Sequence, residues 1–117
     1  MVKSSLLCWV KSGMLYRDPS ITIEQQLKDS REEFWYFYEF FAKNELLKKI
    51  KYSSLDDIDI DSSMMSDEVT DEGDAFFLKA ENSYGARFSR NRFADPSDTT
   101  VLARALKKFR SQSAKTP

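Results

Sequence analysis

The chain has 117 residues, 41% of them hydrophobic and 14% aromatic, and a formal net charge of −1. That length fits one domain able to bury roughly two-thirds of its unfolded surface, and leaves no room for a second. It contains no histidine and a single cysteine, Cys8, which excludes Cys/His zinc sites, His-dependent triads and an intrachain disulfide.

Val2, Leu6, Val10 and Met14 repeat every four residues with Trp9 beside them, which predicts a short amphipathic first helix ending near Gly13. The apolar run ends at Lys11, too short for a signal-peptide core, and Ser5-Leu6-Leu7-Cys8 lacks the small residues that precede a lipidated cysteine. No stretch approaches the ~20 apolar residues that span a bilayer. The expectation is a cytoplasmic protein that does not enter a membrane, with Cys8 packed as a small apolar side chain. Asp18-Pro19-Ser20 reads as a turn, and Thr22-Ile23-Glu24-Gln25 as a capping box opening a second helix. On it Ile23, Leu27, Ser30, Phe34, Phe37 and Phe41 recur at three- and four-residue steps to about Ala42. Asn44 either ends this helix or caps a further turn carrying Leu46, Leu47 and Ile50. Phe34, Trp35, Tyr36, Phe37, Tyr38, Phe40 and Phe41 point in every direction, so the helix is expected to be central, with Trp35 and Tyr36 left at the surface as binding anchors.

After Tyr52 no helical period survives until Thr70. Ile58 and Ile60 alternate with aspartates, as in a short edge strand or an extended loop pinned by two isoleucines. Thr70 caps a predicted third helix with the stripe Phe77, Ala80, Tyr84 and Phe88, continuing toward Arg92. Asp95-Pro96 signals the start of a last helix whose apolar face is Val101, Leu102, Ala105, Leu106 and Phe109. Residues 111–117 are expected to fray. The sum is an all-α single domain, 1–117, of about four helices, with an acidic irregular segment (about 53–69) between the second and third.

The net charge conceals a dipolar chain: residues 1–55 sum to +2, 56–86 to −9 and 87–117 to +6. Asp71, Glu72 and Asp74 fall in the first turn of the third helix, where anions are favoured by its dipole, and Asp67 and Glu68 stand close by. Asp56, Asp57, Asp59 and Asp61 have no helix end to explain them. Like charges so crowded require cations opposite, and two sources stay open: Arg87, Arg90 and Arg92 of this chain, or a basic partner. Asp57, Asp59, Asp61 and Glu68 also match positions 1, 3, 5 and 12 of an EF-hand loop, but position 6 is Ser62 instead of glycine and position 9 is Met65. The segment therefore reads as a solvated acidic loop, with no metal and no cofactor.

No Gly-rich phosphate loop and no G-x-S-x-G elbow occurs, so the expectation is a non-enzymatic protein. One alternative is a helix-turn-helix-like nucleic-acid-binding regulator, its last helix exposing Thr99, Thr100, Arg104, Lys107, Lys108 and Arg110. The turn Phe93-Ala94-Asp95 lacks the usual glycine, and the acidic block upstream would repel phosphates. Small size, no catalytic set, no secretion signal and a concentrated acidic surface make the chain resemble, in class and style, the immunity proteins that bacteria keep against toxins. The resemblance rests on no diagnostic motif. It implies neutralisation of a basic partner, a toxin domain; the charge pattern and the aromatic run themselves nominate Asp56, Asp57, Asp59, Asp61, Asp67 and Glu68 as the contact surface, with Trp35 and Tyr36 as anchors.

Overall fold

A helix ringed with aromatic side chains must be covered on most of its circumference, and the fold is the solution to that demand. A computed structural model describes residues 6–11, 20–91 and 94–114. In chain order its main elements are β1 (Leu6–Trp9), α1 (Ile23–Lys43), β2 (Ser63–Met65), α2 (Asp71–Arg90) and α3 (Thr100–Ala114), with 3-10 turns at Leu55–Asp57 and Ser66–Glu68. The structure is thus mostly helical, with three α-helices and a two-stranded sheet among the described residues.

α1 starts where Thr22 accepts a hydrogen bond from the Gln25 N–H at 3.1 Å. Only half of the predicted box forms, because the Gln25 amide turns forward to Asp29 instead. Phe34, Trp35, Phe37, Tyr38, Phe40 and Phe41 are all buried. Asn44 ends the helix, its side chain donating to the Phe40 carbonyl at 2.8 Å. Glu45 then takes φ 60, and the N–H groups of Glu45 and Leu46 reach back to Ala42 and Phe41. This is a Schellman ending, with glutamate in the left-handed position that glycine usually holds. Its apolar clasp is Leu46 against Phe41, both 0% exposed.

α2 runs antiparallel to α1, with Phe41 meeting Phe77 and Phe37 meeting Tyr84. Thr70 caps it as the sequence predicts, accepting from the Gly73 N–H at 3.0 Å. Of the predicted stripe Phe77, Ala80 and Tyr84 are buried and Phe88 is half-buried, and Phe76, outside the stripe, is buried too and meets Phe109 of α3. α3 begins at Thr100, later than Asp95-Pro96 implies. Asp95 caps a local turn through Ser97, and Asp98 binds the Thr100 N–H and hydroxyl. The Tyr84 hydroxyl donates to the Pro96 carbonyl at 2.7 Å, tying this connection to α2.

The first predicted helix is corrected: Leu6–Trp9 is a strand, antiparallel to Ser63–Met65, with Cys8 opposite Met64 and Trp9 opposite Ser63. A five-residue apolar run satisfies a four-residue repeat and a buried strand equally well, and only the distant partner decides between them. Val2, Gly13, Met14, Asp18 and Pro19 lie outside the described residues. Near the other end of the irregular segment, Leu47 bridges Val69 and the Thr70 N–H meets the Leu46 carbonyl at 2.9 Å.

Gly73 stands at that crossing. A Cβ there would lie 2.5 Å from the Leu46 carbonyl oxygen, whereas one on Gly85 would meet nothing within 4 Å. Gly73→Ala is therefore expected to destabilise the protein by more than about 1 kcal/mol through backbone displacement, and Gly85→Ala to stabilise it by about 0.4–1 kcal/mol. Urea unfolding midpoints of the two variants check the opposite signs.

Candidate functional site

The acidic segment hangs on α1 by polar bonds to its backbone. Arg31 projects from α1 and donates from Nε to the Ile58 carbonyl at 2.6 Å and from a terminal nitrogen to the Leu55 carbonyl at 3.0 Å. One turn further on, Phe34 and Tyr38 face Tyr52. The Tyr38 hydroxyl accepts from the Lys51 N–H, and the Tyr52 hydroxyl from the Ser63 N–H. Ile58, 2% exposed, is the apolar peg, while Ile60 is 37% exposed. An extended loop pinned by one isoleucine results, and the strand falls later, at Ser63–Met65.

This anchoring turns the carboxylates outward. Asp56, Asp57, Asp59 and Asp61 are all exposed. Asp57 accepts from the Ser53 and Ser54 N–H groups, and Asp59 from the Asp61 N–H at 2.8 Å. The carboxylates of Asp56 and Asp61 have no partner among the described residues. Arg87 does not face them: it binds the carbonyls of Asp95 and Asp98 and lies 3.8 Å from the Asp98 carboxylate. Arg90 is exposed and has no carboxylate partner among the described residues, and Arg92 lies outside them. The cation beneath the segment is Arg31, which binds its backbone and leaves its charges unneutralised.

The other predicted contact residues divide. Asp67 is exposed, but Glu68 turns inward, 9% exposed, accepting from the Met65 N–H and pairing with Lys51 at 2.9 Å. Burial works against the Lys51 ammonium, yet Glu68 and the Tyr52 hydroxyl more than offset it and hold its pKa above the usual lysine value. Glu68 is therefore a structural residue of the segment's closing turn and not part of the exposed acidic surface. Trp35 is also corrected: at 8% exposure it lies in the core, stacked on Tyr38, because α1 is covered on that flank too. Tyr36 is half-buried.

A second concavity, a cavity of about 220 Å³, lies where β1, α1 and α2 meet. Cys8, Glu33, Phe34, Glu81, Tyr84 and Phe88 help to line it. Burial, with the Glu81 charge behind it, pushes the Cys8 thiol up to about 12, and burial raises the Glu81 carboxyl as well. Such surroundings favour neutral groups, so Cys8 is a packed thiol and not an activated nucleophile. Among the described residues no group of three or more His, Cys, Asp or Glu side chains is placed to hold a metal ion, and no helix is long and apolar enough to cross a membrane. No family model matches the chain, and the comparisons with curated proteins and with solved structures found no match.

Arg31→Gln removes two charge-assisted bonds to buried-side carbonyls and is expected to lower stability by about 2 kcal/mol. The accompanying rise in amide hydrogen exchange should be confined to residues 55–62. For Cys8, thiolate formation is shifted from the ordinary value upward toward about 12, so iodoacetamide at about pH 8 should modify the native protein far more slowly than the urea-unfolded chain. Mass spectrometry against time checks this, and the native rate should climb only as pH approaches the raised value.

Proposed function

We propose that the chain is a non-enzymatic protein that binds and neutralises a basic protein partner through its acidic segment, acting in the bacterial cytoplasm as immunity proteins do against toxins. One observation carries the reading: four exposed carboxylates, Asp56, Asp57, Asp59 and Asp61, ride on a segment whose cationic anchors are spent elsewhere, Arg31 on its backbone carbonyls and Lys51 on Glu68. Pre-formed unneutralised charge on an anchored loop steers a cationic partner and loses little entropy on binding. With Trp35 and Glu68 withdrawn into the fold, the contact surface reduces to these four aspartates with Asp67. The partner that suits it is a cationic toxin domain.

The helix-turn-helix alternative finds less support. α2 and α3 are separated by residues 91–99 and pack as an antiparallel hairpin, with Phe76 against Phe109 at one end and Tyr84 against Pro96 toward the other. A helix-turn-helix has a shorter turn and a steeper crossing. Arg110, predicted to be exposed toward DNA, is bound to Glu72 at 2.8 Å and to the Asn44 carbonyl at 2.9 Å.

Changing Asp56, Asp57, Asp59 and Asp61 together to Asn preserves the acceptor oxygens that Asp57 and Asp59 use while removing the charge. The variant should keep the wild-type unfolding transition. Its association with a co-purified native partner should weaken by more than about tenfold at low salt, mainly through the association rate. Surface plasmon resonance across a salt series measures this, and unaltered affinity at low salt would discard the proposal.

A further inference from the structure

The helical hairpin carries a second charged surface of opposite sign. Lys79, Arg87 and Arg90 on α2 and Arg104 and Lys108 on α3 line a groove of about 340 Å³, and no carboxylate lines it. The sequence arranges this by spacing. On α2 the cations fall at i, i+8 and i+11, and on α3 at i and i+4, so each set shares one helix face. The floor between them is made of short side chains, Ser83 and Ala86 from α2 and Val101 and Ala105 from α3. Long side chains therefore rise on both sides of a shallow trough roughly 16 Å long, from the helical rise between Lys79 and Arg90.

Four of these cations, Lys79, Arg90, Arg104 and Lys108, have no carboxylate partner among the described residues. Arg87 is held at the end of the trough by the carbonyls of Asp95 and Asp98, and the nearby Asp98 carboxylate is itself occupied by Thr100. Dipole stabilisation explains Arg87 and Arg90 in the last turn of α2, but not Lys79 in its middle or Arg104 near the start of α3. Nor does the acidic segment compete for the groove. It packs on the Arg31, Phe34 and Tyr38 side of α1, whereas α2 packs on the Phe37 and Phe41 side.

We infer that this groove binds the phosphodiester backbone of a nucleic-acid strand, independently of sequence. Guanidinium forks match phosphate oxygens, and two rows of cations fit a linear polyanion better than a single charge. The lining contains no aromatic ring on which bases would stack, and its apolar members, Ala86, Val101 and Ala105, are small side chains between the cations, so backbone contact is the chemistry it offers. The surface is separate from the acidic one, and the two stand or fall by different variants.

The test is fluorescence anisotropy of labelled random-sequence DNA of ~20 nucleotides, single-stranded and duplex, with the full chain. With four unpaired cations engaged, affinity for the single strand should fall about 50-fold between about 50 and about 200 mM salt. Arg104→Glu with Lys108→Glu, and separately Arg90→Glu, should each reduce binding at least about tenfold while circular dichroism and the melting transition stay unchanged. The four-aspartate Asn variant should bind DNA at least as well as wild type. Absence of binding to either DNA at about 50 mM salt, or equal binding by the folded charge-reversed variants, would overturn the inference. So would competition by poly-glutamate equal to that by unlabelled DNA at matched charge, which would assign the groove to an acidic protein instead.

Discussion

The structure depends on the burial of α1 around most of its circumference. A lone helix face is easily covered by one neighbour, but six buried rings in eight positions require cover from several sides. α2 supplies one wall through Phe77 and Tyr84. The opposite flank is closed by residues 44–70, a stretch with no regular structure long enough to satisfy its own backbone. That is why polar groups of α1 take part in what would otherwise be apolar packing: Arg31 and the Tyr38 hydroxyl meet the backbone of the covering segment, as Tyr52 does from within it. Backbone groups packed against a core must find partners, and here the core itself provides them.

This arrangement also accounts for the distribution of charge. The backbone of residues 55–63 faces inward to Arg31, Ile58 and the tyrosines, so the intervening aspartates face water. On the far side of α2 the hairpin gathers its cations into the groove. The aspartates of residues 56–61 and the cations of the hairpin groove therefore lie against different sides of the aromatic helix, and among the described residues contacts such as Glu72 with Arg110 and Lys51 with Glu68 join opposite charges. Glu72 is held below the usual carboxylate value mainly by the Arg110 hydrogen bond, yet both side chains are substantially exposed, which keeps the stabilisation small.

Local signals were read from the sequence where the cause is local. Thr22 and Thr70 cap helices because their oxygens reach N–H groups three residues on, and Phe34, Phe37 and Phe41 face the core because helical spacing aligns them. What the sequence concealed is set at long range. Leu6–Trp9 is extended only because Ser63–Met65 lies alongside it. Trp35 is buried with the rest of the aromatic run, and Arg31 finds its acceptors on carbonyls 24 and 27 positions away. Glu68 resembled its acidic neighbours until Lys51, seventeen positions earlier, drew it inward. At Asp95-Pro96 the cap signal was real but served a turn, and α3 began at the next opportunity.

The Leu47–Val69 bridge, with the Leu46–Thr70 hydrogen bond beside it, draws the two ends of the acidic segment together at a narrow neck. A closed excursion of this kind is an exchangeable cassette. Because loop closure weakens by only about 0.6 kcal/mol for each doubling of loop length, its outer residues are free to diverge in number and charge while the neck, Gly73 and the aromatic helix stay constant. Changes confined to those outer positions would then alter the charge of the surface far more than the fold beneath it.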